Sequence, residues 1–220
     1  SAWRDAGADR YLIRFETSNS DLFRSIHPPC DGKAAVDRIS VLKELRKLGY
    51  EIGSGVMVGI PGQSYEDLAS DLELFRSLDL DMIGVGPFIP HPETPLAKTL
   101  ADKNIPAEKQ VPNSELMTYK VMALSRILCP RANIPSTTAL ATINLAQGRE
   151  LGLQRGANVL MPNITPVKYR VHYEIYPDKA CINESADDCH GCMRRRIESI
   201  DRTVGKGPGS AIGNRRKVGK

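Results

Sequence analysis

The 220-residue sequence lacks any apolar run approaching the roughly 18 residues of a membrane span, which excludes an α-helical integral membrane protein. It shows no signal-peptide or transit pattern. It has no initiating Met, and Ser1-Ala-Trp-Arg-Asp-Ala-Gly-Ala-Asp9 reads as the tail of a helix already under way. The expectation is a chain that starts inside a longer protein. No G-x-G-x-x-G follows the first strand, which removes the phosphate-binding loop of a doubly wound dinucleotide fold. Nor do the five cysteines suit a secreted disulfide scaffold, because the number is odd. A reducing compartment, the cytoplasm, is expected instead.

What is present is a globular composition, 41% hydrophobic and 25% charged. The net charge of +4 is unevenly spread. From Met193 onward nine Lys/Arg face two Asp/Glu, a net +7, and the remainder carries −3. A basic tail can neutralise phosphates. This one has neither aromatic interleaving nor a recognition motif, so nucleic acid is not an expected partner, and neither is a membrane.

Short apolar strands alternate with helical patterns. The spacing predicts strands at Tyr11–Phe15, Ile52–Gly59 and Met82–Gly86, a fourth near Asn133–Ala139 and a fifth at Asn158–Met161. Helices are predicted at about Lys33–Leu48 with a Gly49 stop, after a Ser64/Asp67 N-terminal pair, at about Ser114–Leu128, and at Gly148–Arg155. Residues 97–113 read as a polar, exposed excursion. Repeated βα units of this kind argue for a parallel α/β architecture, a barrel or an open sheet. Five units cannot close an eight-stranded barrel of typically about 250 residues. The expected fold is therefore the last five or so units of a (β/α)8 barrel.

Polar residues fall at the predicted C-terminal ends of strands, where such barrels place their sites. Arg14 and Glu16 are two apart on a strand and share a face. They form either a strand-end salt bridge or a ligand-binding carboxylate, with Arg10, Arg14 and Arg38 as cationic forks for carboxylates. Thr137 and Thr138 suit a small anion, or cap the next turn. His27, His91 and His172 read as turn histidines. The strongest local signal is Cys181, Cys189 and Cys192, a C-x7-C-x2-C pattern. Three thiolates suit an iron–sulfur cluster, and His190 could complete a zinc site instead.

Several strings taken together resemble the radical S-adenosylmethionine enzymes of the biotin synthase-like group, most of all its hydrogenase-maturase branch. They are Ala8-Asp-Arg-Tyr-Leu-Ile-Arg-Phe-Glu-Thr17, Val58-Gly-Ile-Pro-Gly-Gln63, Asp81-Met-Ile-Gly-Val-Gly-Pro-Phe-Ile-Pro-His-Pro92, Asn133-Ile-Pro-Ser-Thr-Thr138, Gly156-Ala-Asn-Val-Leu-Met-Pro-Asn163 and Tyr176-Pro177. The resemblance implies the C-terminal portion of a radical-enzyme (β/α)8 TIM barrel over 1–176, with a biotin/thiamin synthesis-associated region within about 84–195. A cysteine-bearing segment and basic tail then occupy 177–220.

The resemblance also implies that Glu16 and Arg38 bind S-adenosylmethionine and that Met82, Ile89 and Tyr173 line its cavity or the substrate's. Arg10, Arg14, Thr137 and Thr138 would hold an anion or carboxylate, and Cys181, Cys189 and Cys192 an accessory [2Fe–2S] or [4Fe–4S] cluster. The family's catalytic [4Fe–4S] cluster sits on Cys-x3-Cys-x2-Cys, and no trio here has that spacing. Those ligands are expected upstream, which would leave the fragment alone inactive. In the complete enzyme, one electron from the reduced cluster would split the sulfonium of S-adenosylmethionine into methionine and a 5′-deoxyadenosyl radical. Its substrate would be a small molecule or iron complex on the way to the hydrogenase's diiron centre, with other maturation proteins and a reductant protein as partners. Two readings stay open beside this one: a sister enzyme (biotin synthase or methylornithine synthase-like) and a non-catalytic metal-binding interaction module. Phe15, where members often have His, and a long 97–113 segment depart from the family pattern.

Overall fold

A computed structural model of the chain describes residues 2–102, 106 and 108–212. A short helix α1 (Ala2–Asp5) leads into strand β1 (Arg10–Leu12), followed by α2 (Ser20–Ile26) and α3 (Arg38–Lys47). Strand β2 (Glu51–Val58), α4 (Tyr65–Ser77) and β3 (Met82–Pro87) complete the regular part. Beyond them come α5 (Pro95–Asp102), α6 (Glu115–Leu128), α7 (Thr138–Ile143), α8 (Gly148–Gln154), α9 (Val167–Arg170), a 3-10 turn (Val171–Tyr173) and α10 (Ala186–Glu198). The three strands form a parallel sheet in sequence order.

Helix ends follow local chemistry. Ser64 and Asp67 form a reciprocal capping box on α4, and Gly49 takes the left-handed conformation (φ 84°) that ends the α3 turn. Helix α3 starts at Arg38 rather than Lys33, because the Asp37 carboxylate accepts from the Ile39 and Ser40 N–H groups and fixes the first turn there.

The expectation of five βα units is not met as such. Among the described residues, the fourth and fifth segments contribute isolated parallel bridges, Met82↔Asn133 and Pro135↔Val159, rather than strands. Pro135 has no N–H to donate, and the Asn158 side chain takes the Ile134 N–H at 2.7 Å in place of a ladder carbonyl. The sheet is thus open. Residues 177–212 are not a loose tail: the α10 residue Arg196 bridges Glu150 of α8 at 2.7 Å, and Ile197 and Ile200 pack on the main core.

One face of the sheet is apolar and covered by helices, with Ile52, Val56, Val58, Ile83 and Val85 buried against Leu68, Leu72, Phe75 and Met122. The opposite, concave face alternates with it. Barrel interiors are normally filled by layers of bulky branched side chains. Here the concave positions of β2 and β3 include Gly53, Gly55, Gly84 and Gly86. A Cβ on Gly55 would stand 2.1 Å from the Gly84 carbonyl oxygen, so the β2–β3 contact itself demands glycine. A Cβ on Gly84 or Gly86 would meet no such block: its nearest neighbours are Arg14 Nη1 and the Ser54 carbonyl oxygen at 3.7 Å, and Thr137 Oγ1 at 3.4 Å.

Asp71 of α4 is wholly buried beneath the loop after β1, where its Oδ1 accepts the Ser18 N–H at 2.5 Å. Its Oδ2 and the Ser18 hydroxyl are both buried without partners. Burial pushes the carboxyl from 3.8 up to about 6, against the hydrogen bonding from Ser18. A raised folded pKa means that stability is fully present below about pH 4 and falls as pH rises to about 6, by roughly 3 kcal/mol at most. Asp71→Asn removes the ionisation and offers an N–H toward the Ser18 hydroxyl. Thermal melts should find this variant more stable than wild type above pH 6 and equal to it near pH 4.

Candidate functional site

The site begins with a fault in the β1–β2 seam. Leu12 pairs with Gly53, yet four residues on Glu16 pairs with Val56, only three further along β2. One extra residue is therefore accommodated in the first strand, a bulge of the kind that re-aims side chains beside functional sites. Ser54, 0% exposed, fills the gap: its hydroxyl donates to the Ile13 carbonyl at 2.9 Å and accepts the Phe15 N–H at 3.2 Å. The regular strand accordingly stops at Leu12 and not at the expected Phe15. The bulge delivers Glu16 in the left-handed region, φ 65°, a strained position for a residue with a side chain. Its N–H and C=O still hold it to β2, bonding Gly55 O at 3.0 Å and Met57 N at 3.3 Å.

Three expected residues meet at this point. Arg14 donates from Nε to Glu16 Oε2 at 3.1 Å and from Nη2 to the Val56 carbonyl at 2.5 Å. Its Nη1 faces the hollow over Gly84, 3.7 Å from where a Cβ would stand. Arg38, at the start of α3, donates to the Arg14 carbonyl at 2.6 Å and lies over the Phe23 ring at 5.5 Å. The Arg14–Glu16 salt bridge is real, but it does not exhaust the carboxylate. Two oxygens offer about four lone-pair sites, so room remains for an ammonium or hydroxyl. Arg38, with one of five N–H groups spent on Arg14, keeps a fork for a carboxylate.

Thr137 stands over Gly86, and Thr138 follows it in the chain. Thr137 caps α7, accepting the Leu140 N–H at 3.4 Å, and its Oγ1 lies 3.4 Å from where a Gly86 Cβ would be. A capping hydroxyl accepts one bond and still has its proton to give, so capping and anion binding coexist here. Thr138 is the first residue of α7, and its carbonyl accepts the Thr142 hydroxyl at 3.0 Å.

The other expected residues sit elsewhere. Arg10 does not join Arg14: four residues back along the strand puts it about 13 Å away. It pairs with Glu51 at 3.0 Å and donates to Pro208 O and Ser210 Oγ. With Met82 it lines a cavity of about 810 Å³ at the N-terminal end of the strands, bordered by residues 202–209. In barrels that end carries stability rather than chemistry. Ile89 is half-buried in the loop after β3. Tyr173 is 60% exposed, and its carbonyl accepts from Lys179 Nζ at 2.6 Å.

Two residues enter to which the sequence reading gave no role at this site: His27, read as a turn histidine, and Tyr176, noted only in the Tyr176-Pro177 string. His27 stacks on Phe23 at 4.3 Å; burial and the Arg38 cation push its pKa down, and the Glu16 carboxylate opposes them. The imidazole thus feels both the Arg38 and the Glu16 charge. Tyr176 is held near Thr142, Arg149 and Arg14; burial pushes its phenol up and those three groups pull it down.

The cysteines lie beyond Tyr176, and two of the thiols meet a donor. Arg149 Nη2 is 3.4 Å from Cys181 Sγ, and the Asn163 N–H is 3.2 Å from Cys189 Sγ. Cys192 and the Arg196 guanidinium, one helical turn on, act on each other electrostatically. Burial pushes the Cys181 thiol up, and Arg149 opposes it. The described residues contain no group of three His, Cys, Asp or Glu that could hold a metal ion, and His190 is exposed, so the zinc alternative has no geometry here. An iron–sulfur cluster spreads its ligands over several irons and is stabilised by hydrogen bonds to sulfur. For that group the donor set fits by its chemistry: three sulfurs, two of them accepting hydrogen bonds, and beside Cys181 a buried Arg149 nitrogen with no partner.

No family model matches the chain. It is 45% identical over 216 residues to the [FeFe] hydrogenase maturase subunit HydE of Thermotoga maritima, covering 98% of this chain and 57% of that protein. It is 30% identical over 161 residues to a biotin synthase of Clostridium botulinum, 71% of this chain and 42% of the relative. Against the 3-methylornithine synthase of Methanosarcina acetivorans identity is 27% over 157 residues, 71% and 40%. The chain thus spans about half the length of the curated relatives it matches.

The seam that presents Glu16 yields a direct test. Ser54→Ala leaves the buried Phe15 N–H without its acceptor, a loss of about 1–3 kcal/mol. Urea unfolding should show that loss, and a change under about 0.5 kcal/mol would remove Ser54 from the account.

Proposed function

The chain is related to HydE and to the biotin synthases, which are radical S-adenosylmethionine enzymes, and from that premise we propose that it forms the ligand-holding part of such an enzyme. The observation that carries the proposal is the meeting of Glu16, Arg14 and Arg38 at the rim of a glycine-lined wall. The amino-acid end of S-adenosylmethionine carries an ammonium and a carboxylate. Glu16, fixed by Arg14, accepts from the ammonium, and the free fork of Arg38 holds the carboxylate. Bound in this way beside a [4Fe–4S] cluster on cysteines outside residues 1–220, S-adenosylmethionine supplies a 5′-deoxyadenosyl radical to the enzyme.

The chain's own residues place and shield. Strained and buried groups held by a rigid sheet cost no reorganisation when ligand arrives. Arg14 Nη1, Thr137 and Thr138 face the hollow over Gly84 and Gly86 and hold an anionic substrate there. The helix-covered face keeps water from the wall behind. The protein thereby supplies orientation and exclusion while the cofactor carries the chemistry.

At the finer level we assign the substrate to an iron-bearing intermediate of [FeFe]-hydrogenase cofactor assembly, with other maturation proteins and a reductant protein as partners. The cysteine segment favours this over a methylornithine synthase-like mutase. Cys181, Cys189 and Cys192 then hold an accessory [2Fe–2S] or [4Fe–4S] cluster.

Titration calorimetry of S-adenosylmethionine into the complete enzyme tests the core of this. Glu16→Gln keeps the shape and loses the charge, and should weaken binding at least tenfold, about 1.4 kcal/mol. Unchanged affinity would remove Glu16 from the binding site.

A further inference from the structure

Two buried cations enclose the cysteine segment, and they behave differently. Arg170, 1% exposed, donates to the carbonyls of Asn163, Thr165, Cys181 and Glu184. Its hydrogen bonds are spent on closing the loop around residues 163–184, and it is fully accounted for. Arg149 of α8 is 3% exposed; it donates from Nη2 to Cys181 Sγ, and its Nη1 is buried with no partner. Glu150, the acid next to it in α8, is taken by Arg196. A buried guanidinium without a counter-charge is strongly disfavoured. Something anionic beside Cys181 would resolve it.

We infer that Arg149 is the positioning residue and counter-charge of the cysteine site: with Nη2 on Cys181 Sγ, its free Nη1 meets the anionic inorganic group held by Cys181, Cys189 and Cys192. The inference rests on the reading of that group as an iron–sulfur cluster. Hydrogen bonds to the sulfurs, net charge and burial set the potential of such a cluster. One-electron reduction adds a negative charge, which a fixed guanidinium stabilises more than it does the oxidised form. Arg149 therefore raises the potential, and the Asn163 N–H on Cys189 Sγ contributes to the baseline.

The chain is combined anaerobically with ferrous iron and sulfide, and bound iron, acid-labile sulfide and the midpoint potential for one-electron reduction by dithionite are measured. Arg149→Gln should keep the iron content of wild type and be at least tenfold harder to reduce at equilibrium, a downward shift of about 59 mV. Arg149→Lys keeps the charge without the fork and should fall between the two. A Gln variant with full iron and the wild-type potential overturns the inference and leaves the cluster reading standing. Wild-type chain that binds no more iron than Cys189→Ser overturns the cluster reading, and the inference with it. Where circular dichroism shows that Arg149→Gln does not fold, Arg149→Lys decides alone: a partial downward shift supports the inference, and an unchanged potential overturns it.

Discussion

The contact between Gly55 and the Gly84 carbonyl is the constraint from which the rest of the sheet follows. A Cβ at residue 55 would lie 2.1 Å from that oxygen, so β2 and β3 approach as they do only because the concave face is bare there. The same bareness continues through Gly84 and Gly86, where barrel interiors usually carry bulky side chains, so that Arg14 and Thr137 come over the wall instead. Burial on the other face supplies the compensating stability: Val56, Val58, Ile83 and Val85 are each 0% exposed against the helices. The wall is thus stabilised from behind and left open in front.

Onto this wall the chain places charge with little water around it. The Ser54 hydroxyl absorbs the extra residue of the first strand, and the cost appears as a left-handed Glu16. Strain of about 1–3 kcal/mol persists only where surrounding bonds over-determine it. Here the bonds to Gly55 O and Met57 N and the Arg14 contact do so. Arg38 ties α3 to the same point through the Arg14 carbonyl. Tyr176, acted on by both Arg14 and Arg149, lies between this rim and the cysteine segment.

Much of this was legible in the sequence, and the limits of legibility have physical causes. Period-2 alternation and capping residues located β2, β3, α4 and α6, because local chemistry decides them. The run Ile52-Gly-Ser-Gly-Val-Met-Val-Gly59 announced a small-residue strand, and Arg14/Glu16 were placed correctly together. The bulge was hidden, since a slip of one residue depends on which hydroxyl lies opposite. Arg10 was misplaced for a related reason: residues two and four apart share a face, but only distance along the strand separates the two ends of a barrel. The fourth and fifth strands failed where prolines and asparagine side chains replaced ladder bonds. His27 and Arg149 gave no signal, because their importance lies in partners that are distant in sequence, or missing.

The central claim is that the hollow over the glycine wall is ligand space governed by Arg14 and Glu16. Gly84→Val tests it most directly, because a Cβ there would stand 3.7 Å from both Arg14 Nη1 and the Ser54 carbonyl oxygen, an ordinary contact distance. The measurement is S-adenosylmethionine affinity of the complete enzyme, alongside its melting temperature. The account predicts an unchanged melting temperature with binding weakened tenfold or more. Wild-type affinity in a folded Gly84→Val variant would contradict it.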